Sequence, residues 1–153
     1  YSLGLKVIIY SKYFESVKKD FKNYINSDLE NLLKESDFIS FHCKPNKDNS
    51  SILNLEKLKI MKKNSFIINT ARGNLINEND LKIALEQEII KGAAIDVFSI
   101  EPATKNVLFN TKNIILTPHI AASTIESQII VAENIAKQIS KYFNEGKIIN
   151  SVN

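Results

Sequence analysis

Asn69 to Pro102 read NTARGNLINENDLKIALEQEIIKGAAIDVFSIEP, and after a loop Ile114 to Thr124 read IILTPHIAAST. Arg72, Asp96, Glu101 and His119 each stand where an apolar run hands over to a loop. In a parallel α/β sheet such strand ends form the ligand crevice. One strong cation, two carboxylates and an imidazole converging there can bind an anion and move a proton.

Working outward, short apolar runs rich in β-branched residues alternate with stretches of helical spacing. Strands are expected at Leu5–Tyr10, Phe38–His42, Phe66–Asn69, Ala93–Val97 and Ile114–Leu116, the first of them buried. Between them, helices are expected at Leu29–Lys34, capped by Asp28, at Leu55–Met61 and at Glu78–Glu88, with a surface helix or turn over Tyr13–Tyr24. A long helix from Ser123 to Phe143 carries a wide apolar stripe and closes at Gly146. Alternating strands and helices imply an α/β class with a mainly parallel sheet.

The 153 residues suffice for one ordinary domain and not for two sizeable ones. A hydrophobic fraction of 44% and a charged fraction of 24% are those of a globular chain. The net charge of +3 comes from scattered lysines with a single arginine, so no nucleic-acid footprint is expected. Cys43 is the only cysteine, which excludes an intrachain disulfide and fits a reducing compartment. No apolar run spans a membrane and no signal peptide opens the chain, so cytoplasm is the expected location. The opening Tyr1-Ser2-Leu3-Gly4 places Gly4 like a helix C-cap before a strand, as in the middle of a domain.

Each polar residue has a bland reading beside the chemical one. Arg72 could orient a carboxylate bidentately or form a surface ion pair. His119, between Pro118 and small residues, could be a general acid–base or a capping residue. Glu101 and Asp96 could be ordinary loop acids. Spacing alone leaves an enzyme and a binding module equally open.

The blocks INTARGNLINENDL, GAAIDVFSIEP and NIILTPHIAASTIESQ, in this order, resemble the signature blocks of the D-isomer-specific 2-hydroxyacid dehydrogenases over nearly the whole chain, Gly4 to Asn153. The closing GKIINSVN, with HIAAST, is most similar to the family's 3-phosphoglycerate-oxidising branch. The resemblance implies a Rossmann-type doubly wound parallel sheet binding NAD(H) and a 2-hydroxy acid converted to its 2-keto acid. It assigns Arg72 to the substrate carboxylate and keto oxygen, His119 to the proton and Glu101 to the histidine. Asp96 would meet the nicotinamide carboxamide, with Thr70, Ala71, Ala121 and Ala122 lining that half through backbone. Ser11 and Cys43 would stand at the adenosine side. No metal is implied, and the family commonly forms homodimers. Within the family, glycerate or hydroxypyruvate reduction is an alternative. Outside catalysis, a dinucleotide-sensing corepressor would keep the same three residues.

Two departures bear on the cofactor. Where the family usually places an acid for the adenosine ribose, this chain has Ser11-Lys12, so NADP is open beside NAD. Lys44 separates Cys43 from Pro45, where the family more often has proline directly. None of the four glycines forms a G-x-G-x-x-G run. The expectation is therefore a partial NAD(P)-binding domain over residues 1–153, lacking its first strand, its phosphate loop and the substrate domain. By itself it is expected not to turn over.

Overall fold

The computed structural model describes residues 4–11, 13–17, 24–45 and 51–151. Two compact units result, one up to Pro118 and one from His119 onward.

In the first unit a four-stranded sheet runs β3 (Phe38–Phe41), β4 (Phe66–Asn69), β5 (Gly92–Ile95), β6 (Ile114–Leu116), every pair parallel. Helix α3 (Leu55–Lys59) connects β3 to β4 and α4 (Glu78–Glu86) connects β4 to β5. A separate parallel pair joins β1 (Ile8–Ile9) to β2 (Ile25–Asn26), with α1 (Phe14–Val17) between them and α2 (Leu29–Glu35) following. Among the described strands β1 pairs only with β2, and β3 only with β4. This is the expected parallel α/β sheet, with no strand joining β1 to β3 among the described residues.

The core lies where helix faces meet the sheet. On α4, Leu81, Ala84 and Leu85 sit at i, i+3 and i+4 and are buried together with Leu58 of α3 and Ile67 of β4. Asn54 and Asn77 cap α3 and α4 by accepting from Lys57 N and Asp80 N. Asp80 also accepts from Leu55 N at 3.0 Å, tying the start of α4 to the start of α3. Leu53 and Ile76, brought together by backbone bonds between 53 and 75–77, form an isolated parallel bridge beneath them.

Three expectations need correction. The strand placed at Leu5–Tyr10 shrinks to Ile8–Ile9, half-buried, with Leu5 and Tyr10 exposed. Of the element expected over Tyr13–Tyr24, Phe14–Val17 form a helix, residues 18–23 lie outside the described set, and Ile25–Asn26 form an unanticipated strand. Helix α4 ends at Glu86 rather than Glu88, because Glu88 turns into the left-handed region (φ 53°) and sends Ile90 back into the core.

The second unit is dominated by α5 (Ile125–Glu145). The helix starts and ends two residues later than the expected Ser123–Phe143; Thr124 caps it by accepting from Ser127 N, and Gly146, the expected C-cap, closes it at φ 61°. Its apolar stripe is not buried: no residue of α5 is.

Candidate active site

The parallel registers align the strand ends in one row, Phe41–Asn69–Ile95–Leu116. Neighbouring strands lie about 4.8 Å apart. Thr70, Asp96 and Thr117, each one residue past its strand, therefore share the C-terminal edge of the sheet. Cys43 follows the same edge two residues beyond β3.

Asn69, the last residue of β4, is almost wholly buried and organises the turn that follows. Its Oδ1 accepts from Ala71 N at 3.1 Å and its Nδ2 donates to Arg72 O at 2.9 Å. The side chain thus replaces a backbone partner on both sides of the Arg72 peptide. Arg72 is exposed and extended (φ −149°), with Nη1 donating to Ala71 O at 2.6 Å. A 3-10 turn, Gly73–Leu75, follows.

Gly73 is needed there. A Cβ at this position would stand 1.9 Å from Phe98 C and 2.3 Å from Ser99 N, both backbone. The turn bearing Arg72 is thus pressed onto the segment after β5 that leads to Glu101. Glu101 is exposed, and its Oε1 accepts from Phe98 N at 2.9 Å, folding the carboxylate back over that segment. Asp96 is 3% exposed and accepts from Thr117 Oγ1 at 2.5 Å. Thr117 N in turn donates to Ile95 O at 3.0 Å. This places an anchored carboxylate at the middle of the sheet edge.

The first unit thus brings Thr70, Ala71, Arg72, Asp96 and Glu101 to one end of the β4–β5 pair. Ser11 follows β1, and its Oγ accepts from Tyr13 N at 3.1 Å. Lys12, the other half of that reading, lies outside the described residues. Cys43 is an exposed free cysteine whose thiol pKa is pushed up by partial burial of the sulfur. His119 opens the second unit, exposed, in the left-handed region at φ 55°. A non-glycine residue there is uncommon, and such backbone clusters at functional sites. Ala121 and Ala122 are exposed in the turn that follows, where Ser123 N donates to Ile120 O at 2.8 Å.

Three contributors were not legible as such in the sequence. Asn69 was visible only as a strand-terminal Asn of the kind that makes Asx turns. Thr117 carried no signal beyond its place before Pro118, and Glu78, whose carboxylate accepts from Ser99 N and Asn106 Nδ2, showed only as the first residue of its expected helix. Among the described residues no group of three or more His, Cys, Asp or Glu could hold a metal. No helix among them is long and apolar enough to cross a membrane.

Comparison with known proteins places these features. Residues 1–121 match the family model described as the D-isomer specific 2-hydroxyacid dehydrogenase NAD binding domain. A glyoxylate reductase of Thermococcus litoralis is 39% identical over 145 residues, covering 95% of this chain and 44% of that protein. A D-3-phosphoglycerate dehydrogenase of Synechocystis is 38% identical over 138 residues, 90% of this chain and 25% of that protein. The chain therefore spans less than half the length of these relatives. Among solved structures, an acyclic imino acid reductase in complex with NADPH and D-Arg superposes with a TM-score of 0.86 at 32% identity, covering 99% of this chain and 47% of that one.

Proposed function

Since the chain belongs to the D-isomer-specific 2-hydroxyacid dehydrogenase family through its NAD-binding domain, we propose that it forms part of an oxidoreductase moving a hydride between NAD(H) and a 2-hydroxy or 2-keto acid. The supporting observation is the aligned row of strand ends, which sets Arg72 and the buried Asp96 on one sheet edge. That edge fits the nicotinamide half of a dinucleotide. A buried carboxylate anchored by Thr117 is an acceptor for an amide, and the carboxamide is such a donor. The bound nicotinamide would supply the hydride, leaving the protein to orient, exclude water and handle the proton.

Arg72 binds the substrate carboxylate as a planar fork and polarises the keto oxygen. The family resemblance supplies the remaining roles. His119 donates a proton to that oxygen in reduction and removes it in oxidation, with Glu101 as its partner. Thr70, Ala71, Ala121 and Ala122 line the nicotinamide side through backbone, and Ser11 and Cys43 the adenosine side. Ser11 in place of a ribose-binding acid supports acceptance of NADP as well.

D-3-phosphoglycerate is the first substrate we propose, which would place the enzyme in serine synthesis, on the Synechocystis similarity and the HIAAST and NSVN motifs. Glyoxylate is the second, on the Thermococcus similarity. The exposed apolar residues of α5, Ile125 and Phe143 among them, support a homodimer of the complete gene product. The single cysteine among these 153 residues fits the reducing cytoplasm.

The test assays the complete gene product on 3-phosphoglycerate, glyoxylate, glycerate and hydroxypyruvate with NAD(H) and NADP(H), beside His119→Ala. Turnover of one 2-hydroxy acid pair, reduced about 10²- to 10⁴-fold in the variant, is expected. Unchanged turnover in H119A removes His119 from the mechanism. Absent turnover together with a stably co-purifying protein favours a dinucleotide-sensing binding role.

A further inference from the structure

We propose that Glu78 is a positioning residue: its carboxylate pins both flanks of the loop that presents Glu101, coupling that loop to the turn that presents Arg72. The inference rests on the role proposed above for Glu101.

Glu78 is the first residue of α4, where a carboxylate is usually explained by the positive end of the helix. Its oxygens are committed elsewhere. Oε1 accepts from Ser99 N at 2.8 Å, and Oε2 accepts from Ser99 Oγ at 2.8 Å and from Asn106 Nδ2 at 2.9 Å. These partners lie 21 and 28 residues away in sequence, so the bonds are tertiary. Glu101 lies between them, and one carboxylate thus holds the loop on both sides of it.

The loop lacks other regular restraint. Between β5 and β6 the chain runs from Asp96 to Asn113 without an α-helix or strand. Glu101 touches it through Phe98 N, the residue next to Ser99. Gly73 lets the Arg72 turn lie against the same Phe98–Ser99 peptide. Five residues after Gly73, α4 begins at Glu78, so the element leaving the Arg72 turn returns a carboxylate to the same peptide. Asn106 is itself fixed, its Oδ1 accepting from Leu108 N at 2.9 Å, and Leu108 is fully buried. The anchor chain therefore runs from the core through Asn106 and Glu78 to Ser99.

All three groups facing Glu78 are donors in this arrangement, which requires an acceptor-only side chain. E78Q tests this at constant size, because its new amide NH2 would face the NH2 of Asn106. Adding N106D reverses the polarity. The new carboxylate can accept from that amide with one oxygen and still accept from Leu108 N with the other, while the Ser99 hydroxyl rotates to become an acceptor.

The complete gene product is assayed in the reductive direction as a function of pH, as wild type, E78Q, N106D, E78Q/N106D, E101Q and D80A. Loosening the Glu101 loop should perturb the reaction in the way that removing the Glu101 charge does. In E78Q the basic limb of the profile should move in the same direction as in E101Q. The double exchange should return it toward wild type. D80A removes the acceptor for Leu55 N, and should lower the melting temperature without moving the limb. If E101Q moves the limb and E78Q does not, or if D80A moves it equally, the positioning role is overturned. If E101Q itself leaves rate and profile unchanged, the proposed role of Glu101 is what has failed. Should E78Q not fold, S99A and N106A, each removing one bond, carry the same expectation at smaller size, and an unmoved limb in both overturns the role.

Discussion

Replacing Gly73 by alanine isolates the contact on which the candidate site is built. The added Cβ would stand 1.9 Å from Phe98 C, against 3.4 Å for the start of ordinary van der Waals contact. Relief therefore takes about 1.5 Å of separation, and backbone on both sides has no rotamer to yield. Overpacking of this kind costs about 3 kcal/mol, the upper end of the usual range, because Gly73 is buried. At about 2–4 °C per kcal/mol for a domain of this size, the melting temperature should fall by about 6–12 °C. Separating the Arg72 turn from the Glu101 segment should also lower kcat/KM by on the order of 10²-fold, since a displacement of about 1 Å suffices for that. Differential scanning fluorimetry and steady-state kinetics on the complete gene product read the two effects. A G73A protein melting within about 1 °C of wild type at unchanged kcat/KM would refute the close approach as the element that sets the site.

Arg72→Lys should raise KM for the 2-hydroxy acid about 10- to 100-fold with little change in melting temperature, because the exposed guanidinium contributes its fork rather than packing; substrate titration checks this. Leu81→Ala, at a fully buried position on α4, should cost about 2–5 kcal/mol, read as an earlier urea midpoint. The Cys43 thiol has a raised pKa, so less of it is thiolate at neutral pH than in a free cysteine. Its alkylation by iodoacetamide should be slower than that of glutathione at pH 7.5 and should climb toward it as pH rises.

Hydrophobic periodicity reveals an element only where burial is one-sided and continuous. Helices α3 and α4 and strands β3 and β4 met that condition; β5 and β6 were legible as short apolar runs, and all of them came with small boundary errors. Strand β2 did not: both of its residues are exposed, and it exists through pairing with β1. The first strand was overextended because an apolar run does not state how many neighbours it will find. Local propensity likewise predicted α5, within two residues at each end, and its C-cap Gly146, because capping is a matter of adjacent residues. Where its apolar stripe would be buried is not a local property.

The same division holds for the candidate site. By itself the sequence determined which residue types follow the strands, Arg72, Asp96 and the loop residue Glu101 among them, and the motif blocks that identify the family. Only the tertiary structure decided how those positions are held: the register that aligns four strand ends, the Asn69 side chain that shapes the Arg72 turn, the Thr117 hydroxyl on Asp96, and Glu78 reaching across 21 to 28 residues to the loop around Glu101. Residue identity and local periodicity are written along the chain. Hydrogen bonds between residues distant in sequence depend on packing that brings separate elements within about 3 Å, and no local pattern specifies it.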